Sequence, residues 1–349
     1  MPLTKERLAV DHRVLGLLLL CLGMGSLFAM PLTALSGARY GTRRTILVGG
    51  LGLALTLPWL AIASTPLKLG AVLLAFGASL GSINVAMNVQ AAEVERAAGR
   101  PLMSTFHAQF SIGELSGAGA LTALLSLRID SFASTLACSA LMIVAILSAW
   151  PRLLATRRTP SEPLLVLPHR SVLLIAVLAA ITFLVEGAMI DWSALFLIDR
   201  GLVAQEHGGF GYMLFSIAMT AGRLAGDALV IRIGDRATLM FGPVPIMIGF
   251  VALLAAPVAA IAMAGLLLIG LGASNIVPVL CRRAGKQKVM PAGLAIAAVT
   301  TAGYAGILVG PAGVGLVAHM AGLPFALAIL GALMCIVTLS ARTVTANPR

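Results

Sequence analysis

Apolar runs of about 20 residues follow one another from end to end of this chain, separated by short gaps that hold most of its charge. A bilayer core about 30 Å thick takes roughly 20 residues of helix to span, so the pattern predicts membrane-crossing helices. Cutting at the charged and Gly/Pro-rich gaps places them over 14–37, 45–64, 68–95, 104–127 and 131–150. A polar stretch, RLLATRRTPSEPLLVLPHRS (151–170), interrupts the series. Helices then follow over 171–198, 208–231, 237–256, 258–280, 291–318 and 322–341. The expected organisation is an N-terminal bundle of five helices in 1–150, a cytoplasmic linker in 151–170 and a six-helix bundle in 171–349. The chain is therefore an all-α membrane protein with about 11 transmembrane helices.

Composition excludes the soluble alternative, since 59% of the 349 residues are hydrophobic and only 11% are charged, well below the quarter or so of charged residues in a soluble domain. The net charge of +11 would suggest nucleic acid in a soluble chain. Here the basic residues sit in the gaps between apolar runs, as a topology signal does. No nucleic-acid partner is expected, and the predicted surroundings are membrane lipid. Cys21, Cys138, Cys281 and Cys335 are scattered, with neither CxxC nor metal-ligand spacing, so they read as packing residues and no metal or cofactor is expected. Lys5 and Arg7 precede an apolar run, but Glu6 and Asp11 are mixed in and the run continues to GARYG, which is unlike a cleavable signal peptide.

The positive charge also orients the helices. Of the 24 lysines and arginines, seventeen fall in one alternate set of gaps, six fall in the other, and Arg223 lies inside a helix. The richer set is cytoplasmic by the positive-inside rule, which puts the C-terminus inside and, with eleven crossings, Met1 outside. The halves also repeat. RYGTR (39–43) and RIGDR (232–236) share R-x-G-x-R, and Gly81 and Asn84 in GSIN match Gly272 and Asn275 in GASN at nearly equal distances from the first arginine. In the second half the motif follows the second helix, whereas in the first half it follows the first. One N-terminal helix is accordingly expected to be absent, through a true truncation or a start codon assigned too late.

Two six-helix halves, a basic linker and a glycine-arginine loop in each half together resemble the major facilitator superfamily over the whole chain. Within it, STFHAQFSIGELSGAGA (104–120), EGAMIDWSALFL (186–197) and GRLAGDALVIRIGDR (222–236) look like the branch holding fucose-permease-like and bacterial inner-membrane members. The resemblance implies a two-bundle fold in which the present helices are the second to the twelfth. The family's loop motif runs approximately G-x-x-x-D-R-x-G-R-R. Arg39, Gly41 and Arg43 match it in the first copy, with Ala38 at the acidic position. Arg232 and Gly234 match in the second, where Ile231 takes the acidic position and the acids are Asp227 and Asp235. Glycine permits a tight turn, and arginines at a helix end can meet carbonyls or carboxylates. Such groups could latch the inward face and part as the halves rock, or the arginines could do no more than fix orientation, the reading preferred for Arg44.

Ionisable groups at bilayer depth cost roughly 2.5 to 3.5 kcal/mol on insertion scales, so they are candidates for function. Glu114, about mid-bilayer at 1.5 Å rise per residue, ranks first. His107, Ser111 and Glu114 follow i, i+4, i+7 and share one helical face, on which an imidazole and a carboxyl could exchange a proton; His107 alternatively hydrogen-bonds a neighbour near the helix end. Asn84 and Asn88 could bind a hydroxylated or amide-bearing solute or simply join helices, and Asn275 holds the matching place in the other half. Glu186 could bind substrate or gate the outer side, and Gly187 could loosen its helix. Asp191 and Trp192 could be interfacial anchors instead. Arg223 and Asp227, at i, i+4, could pair, which reads as structural or as part of the latch. GYAGILVGPAGVG (303–315) is similar to the family's glycine-proline motif, which belongs to another helix; close packing and a proline bend explain it here.

Transport is the expected function: a secondary transporter moving a small solute by alternating access, coupled to protons through Glu114 or Glu186, with a sugar or similar polar metabolite as the solute that the resemblance implies. Export of hydrophobic compounds is the alternative within transport, and an inactive truncated product is another. A membrane enzyme or assembly protein is the alternative class, but neither HExxH nor a Gly-x-Ser-x-Gly-like nucleophile is present, and no P-loop supplies ATP. The chain is expected to act as a monomer in the bacterial inner membrane.

Overall fold

The computed structural model describes residues 12–155 and 167–346, all of whose regular elements are helical. In the first half these are α1 (His12–Tyr40), α2 (Thr42–Ile62), α3 (Pro66–Ala98), α4 (Met103–Ser126) and α5 (Ser131–Ala149). The second half holds α6 (Arg170–Asp199), α7 (Phe210–Phe241), α8 (Pro243–Ala255), α9 (Ala259–Ala273), α10 (Ile276–Lys286), α11 (Ala292–Ala321) and α12 (Leu323–Thr345). Short 3₁₀ turns lie at Trp150–Arg152 and Gln205–His207. The middle of the predicted linker, with Arg157 and Arg158, lies outside the described residues, as do Lys5, Glu6, Arg7, Asp11 and Arg349.

Nine segments among the described residues are long and apolar enough to cross a membrane, one of them formed by α9 and α10 together. The two other helices expected from the sequence are α8 and α4. The first is a shorter apolar helix that continues the helical run beginning after Gly234. The second carries His107, Gln109, Ser111 and Glu114 along its length, which dilutes its hydropathy.

Local chemistry sets the helix ends. Asp130 caps α5 by accepting from the Phe132 and Ala133 amides at 2.9 and 3.2 Å, meeting two of the four donors that a helix start leaves without partners. At Gly41, between α1 and α2, φ is 87° and ψ 149°; inside α7, Gly234 has φ 80° and ψ 163°. Side chains clash in that region of the backbone map, which is essentially reserved for glycine. The two central glycines of the R-x-G-x-R copies thus make the same turn, and the second splits α7 where the apolar pattern predicted two helices. The likeness extends one helical turn further: Thr45 Oγ1 donates to the Gly41 carbonyl at 3.1 Å and Thr238 Oγ1 to that of Gly234 at 3.0 Å.

The described chain forms two compact units, one of residues 1–93 and 112–167, the other of residues 94–111 and 168–349. The junction of α3 and α4 therefore belongs to the second unit, while the remaining lengths of both helices belong to the first. In the first unit, Ser26 Oγ on α1 donates to the Gly77 carbonyl on α3 at 2.7 Å. A Cβ on Gly77 would run into the Leu22 carbonyl, so glycine is what lets these two backbones touch. In the second unit, α6 packs along α11 and α8 along α9, with Val172, Leu178, Met189, Phe196, Phe250 and Leu266 buried.

Candidate functional site

At the α3–α4 junction the second unit holds four buried or half-buried charged side chains in one network. Arg282, on α10 and 2% exposed, uses all three guanidinium nitrogens. Its Nε meets Glu95 Oε1 at 2.7 Å, its Nη1 meets Asp235 Oδ1 at 2.8 Å, and its Nη2 meets Asp227 Oδ1 at 3.3 Å. Two of these carboxylates also cap α4. Glu95 Oε2 accepts from the Leu102 and Met103 amides at 2.8 and 2.9 Å. Asp227 accepts from the Ser104 amide at 3.1 Å through Oδ1 and from the Thr105 amide at 2.8 Å through Oδ2. Four consecutive amides at the positive end of α4 are thereby matched by anionic oxygens, the charge sign that a helix N-terminus favours. Three carboxylates around one arginine would repel one another if buried alone. The four donated N–H bonds and the α4 dipole offset that repulsion, as buried ions require. Arg96 Nη2 adds a bond to the Gly285 carbonyl at 2.8 Å, at the end of α10.

The sequence places these groups through its turns. Gly234 reverses the backbone between Asp227 and Asp235, so both acids of the second motif copy reach Arg282. Gly226 keeps α7 close to its neighbours, because a Cβ there would fall on Asn275 Oδ1 and lie 2.7 Å from Ser104 Cβ. The corresponding position to Asp235 in the first copy is Thr42, the residue after Gly41, and it brings a hydroxyl in place of an acid, donating to Gln90 Oε1 on α3 at 2.6 Å and, at 3.5 Å, to Glu93 Oε2.

A second cluster lies near the middle of the helices. Glu186 and Arg223, 8% and 5% exposed, approach to 3.6 Å between Oε2 and Nη2, while Arg223 Nη1 donates to Ser111 Oγ at 2.7 Å. The i, i+4 pairing expected between Arg223 and Asp227 does not form. Asp227 turns instead to Arg282 and the Ser104 and Thr105 amides, which offer it three donors where Arg223 would offer one edge. Arg223 Nε and His107 Nε2 are buried and have no hydrogen-bond partner among the described residues.

The remaining candidates divide by surroundings. Glu114 lies on an exposed stretch of α4, within the first unit. Asn88 Nδ2 donates to the Asn84 carbonyl and to Asn84 Oδ1 at 2.9 and 3.2 Å, so the two amides form one polar patch on α3. Asn275 Nδ2 donates to the Gly222 carbonyl and to Ser274 Oγ, both at 2.9 Å, which joins it to α7. Asp191 is exposed; Trp192 beside it packs its ring against Gly315 on α11. Arg39 is exposed and stacks on Tyr40 with its guanidinium carbon 5.3 Å from the ring centre, and Arg43 stacks on Trp150 at 5.0 Å. Both are cation-π contacts, made without any carboxylate. Arg232 is exposed. Thus Asp227 and Asp235 reach the network and Gly234 supplies the turn between them, whereas the motif arginines Arg39, Arg43 and Arg232 form no ion pair with it among the described residues.

Two members of the network were missed as such in the sequence. Arg282 is one of the seventeen charges assigned to the cytoplasmic gaps, and Glu95, on the same face of α3 as Asn84 and Asn88, is not singled out by any local pattern. A spacing signal existed: Arg282 lies two turns beyond Asn275, in the part of the second half that follows the repeated GASN.

Comparison with known proteins bears directly on this architecture. The sequence model of the Major Facilitator Superfamily matches residues 1–289. An MFS-type transporter of Yersinia pestis is 44% identical over 345 residues, 99% of this chain and 90% of that protein. A transporter of Sinorhizobium fredii is 32% identical over 339 residues, 93% and 87% of the two chains. Among solved structures, the E. coli fucose:proton symporter FucP superposes with a TM-score of 0.80 at 12% identity, over 96% of this chain and 92% of that one, which is a likeness of fold. A helical chain with paired glycine turns, long apolar helices and this degree of kinship is an integral membrane transporter rather than an enzyme, and it belongs to the Major Facilitator Superfamily.

Proposed function

We propose that the chain moves a small polar solute across the bacterial cytoplasmic membrane by alternating access, with protons as the coupling ion and its C-terminus on the cytoplasmic side. The observation that carries this reading is the Arg282 network. It holds the 94–111 junction in the second unit by ion pairs and helix caps, and none of those is a permanent bond. A group of charges that can be satisfied by water once opened is suited to make and break during a rocking cycle. In this reading Arg282, Glu95, Asp227 and Asp235 latch the cytoplasmic side, Gly234 shapes the turn between the two aspartates, and Gly41 makes the matching turn of the first unit. Glu114, His107 and Ser111 on one face of α4, with Glu186 on α6, form the proton and solute path. Asn84 and Asn88 are its hydrogen-bonding lining, and Asp191 stands toward its outer end. The likeness to a fucose:proton symporter supports a sugar or a similar polar metabolite as the solute.

The test is uptake by the purified protein in vesicles under an imposed proton gradient, screened over sugars, sugar derivatives and hydrophobic drugs. Accumulation of a polar solute that collapses with the gradient is expected. Glu114→Gln should reduce the gradient-driven part while leaving exchange without a gradient. Accumulation that survives both Glu114→Gln and Glu186→Gln unchanged would sink the proton role.

A further inference from the structure

The three nitrogens of Arg223 are used unequally. Nη1 is engaged by Ser111 Oγ at 2.7 Å. Nη2 stands 3.6 Å from Glu186 Oε2, beyond ordinary hydrogen-bond length, and Nε is buried with no acceptor among the described residues. Nε and Nη2 together form one of the edges through which a guanidinium grips a carboxylate with two parallel bonds. This edge lies at 5% exposure, near the middle of a membrane helix, where an unmatched donor is costly. Glu186 neutralises the charge of Arg223 without supplying the geometry. Arginine is also a poor choice for gripping a neutral sugar, whose hydroxyls need acceptors as well as donors.

We propose that the Nε/Nη2 edge of Arg223 anchors the carboxylate of an organic-anion solute, with Glu186 as the resident carboxylate that the solute displaces. The proposal rests on the transporter reading and names its substrate class: hydroxylated organic acids, such as sugar acids, rather than neutral sugars. Displacement couples the two carboxylates, because the site holds one positive charge and favours one negative partner at a time. His107, one turn before Ser111 on α4, brings a second buried nitrogen without a partner among the described residues and can meet a hydroxyl of the same solute.

The experiment measures thermal unfolding of the purified full chain in detergent with matched solutes: gluconate against sorbitol, glucuronate against glucose, and lactate against propane-1,2-diol. A carboxylate is expected to raise the midpoint while its neutral counterpart does not. Arg223→Gln should abolish the shift, and Arg223→Lys, which keeps charge but loses the fork, should weaken it. Glu186→Gln removes the competing carboxylate and should lower the concentration for half-maximal shift by about tenfold. A merely structural ion pair would instead be weakened by that change, with no gain in anion binding. Equal shifts from the neutral counterparts, no shift from any carboxylate, or weaker binding in Glu186→Gln would each overturn the assignment. If a neutral sugar is driven by the proton gradient equally well through Arg223→Gln, the anion site falls and proton-coupled transport stands. If the stabilising carboxylate shows no gradient-driven flux, transport falls and the binding site stands.

Discussion

Arg282 shows how one residue can carry far more than its local sequence suggests. It and Arg283 are neighbours in CRRAGKQK, yet one is buried among three carboxylates and the other donates through Nε to the Val344 carbonyl at 3.2 Å. Removing a buried charge leaves its partners uncompensated, whereas neutralising one partner of several removes a single interaction. Arg282→Gln should therefore cost about 3–5 kcal/mol, and Glu95→Gln, which retains an acceptor oxygen for the α4 amides, about 1–3 kcal/mol. Thermal unfolding in detergent checks the order: if the two variants lose equal stability, the arginine is not the hub. Nothing in the sequence could have told Arg282 from Arg283, because Glu95 lies 187 residues away from Arg282 and the pairing is a product of the fold. His107, Ser111 and Glu114 were legible as one stripe because helix period is local. The partner of Arg223 was not, since local spacing offered Asp227 while tertiary packing offered Glu186.

Among the elements, helices were read well where apolar length decides them, and the repeated motif located its turns to the residue. What the sequence pattern lacked was the chemistry of the turn residues' partners. Gly41 and Gly234 share a backbone conformation, but the next residue is Thr42 in one copy, bonded to Gln90, and Asp235 in the other, bonded to Arg282. One architectural turn thus bears a hydroxyl donor in the first half and a carboxylate paired with an arginine in the second. Gly234→Ala should lower stability by about 1–3 kcal/mol through backbone strain, and so should Gly41→Ala. Only the Gly234 variant should also perturb the α4 cap, because only there does the turn aim an acid at Arg282. Hydrogen exchange of the Leu102–Thr105 amides separates the two effects: acceleration in Gly41→Ala to the same degree would refute the asymmetry. Gly226→Ala tests the neighbouring contact, where the added methyl meets Asn275 Oδ1 and must displace it. Its loss of stability should be relieved when Asn275 is also made Ala, and a double variant no more stable than Gly226→Ala alone would place the strain elsewhere.

For the molecule as a whole, the useful fact is that α3 and α4 each change unit along their length, at Glu93/Val94 and at Ser111/Ile112. In the proposed rocking cycle such a junction moves between states, and the Leu102–Thr105 amides at its centre are held by the carboxylates of Glu95 and Asp227. Those two acids should therefore set how often this junction opens. Glu95→Gln with Asp227→Asn keeps the shapes and removes two negative charges from the positive end of α4. It should accelerate exchange of the Leu102–Thr105 amides by about tenfold, equivalent to 1.4 kcal/mol, while amides in the middle of α6 and α11 keep their protection. Transport should shift with it, since a latch that opens too readily leaves the protein in one state for most of the cycle. Net uptake is expected to fall and exchange of solute across equal concentrations to persist. If exchange rates at the α4 start were unchanged while uptake fell, the acids would belong to the solute path, and the anchor would have to be sought in other contacts of the junction.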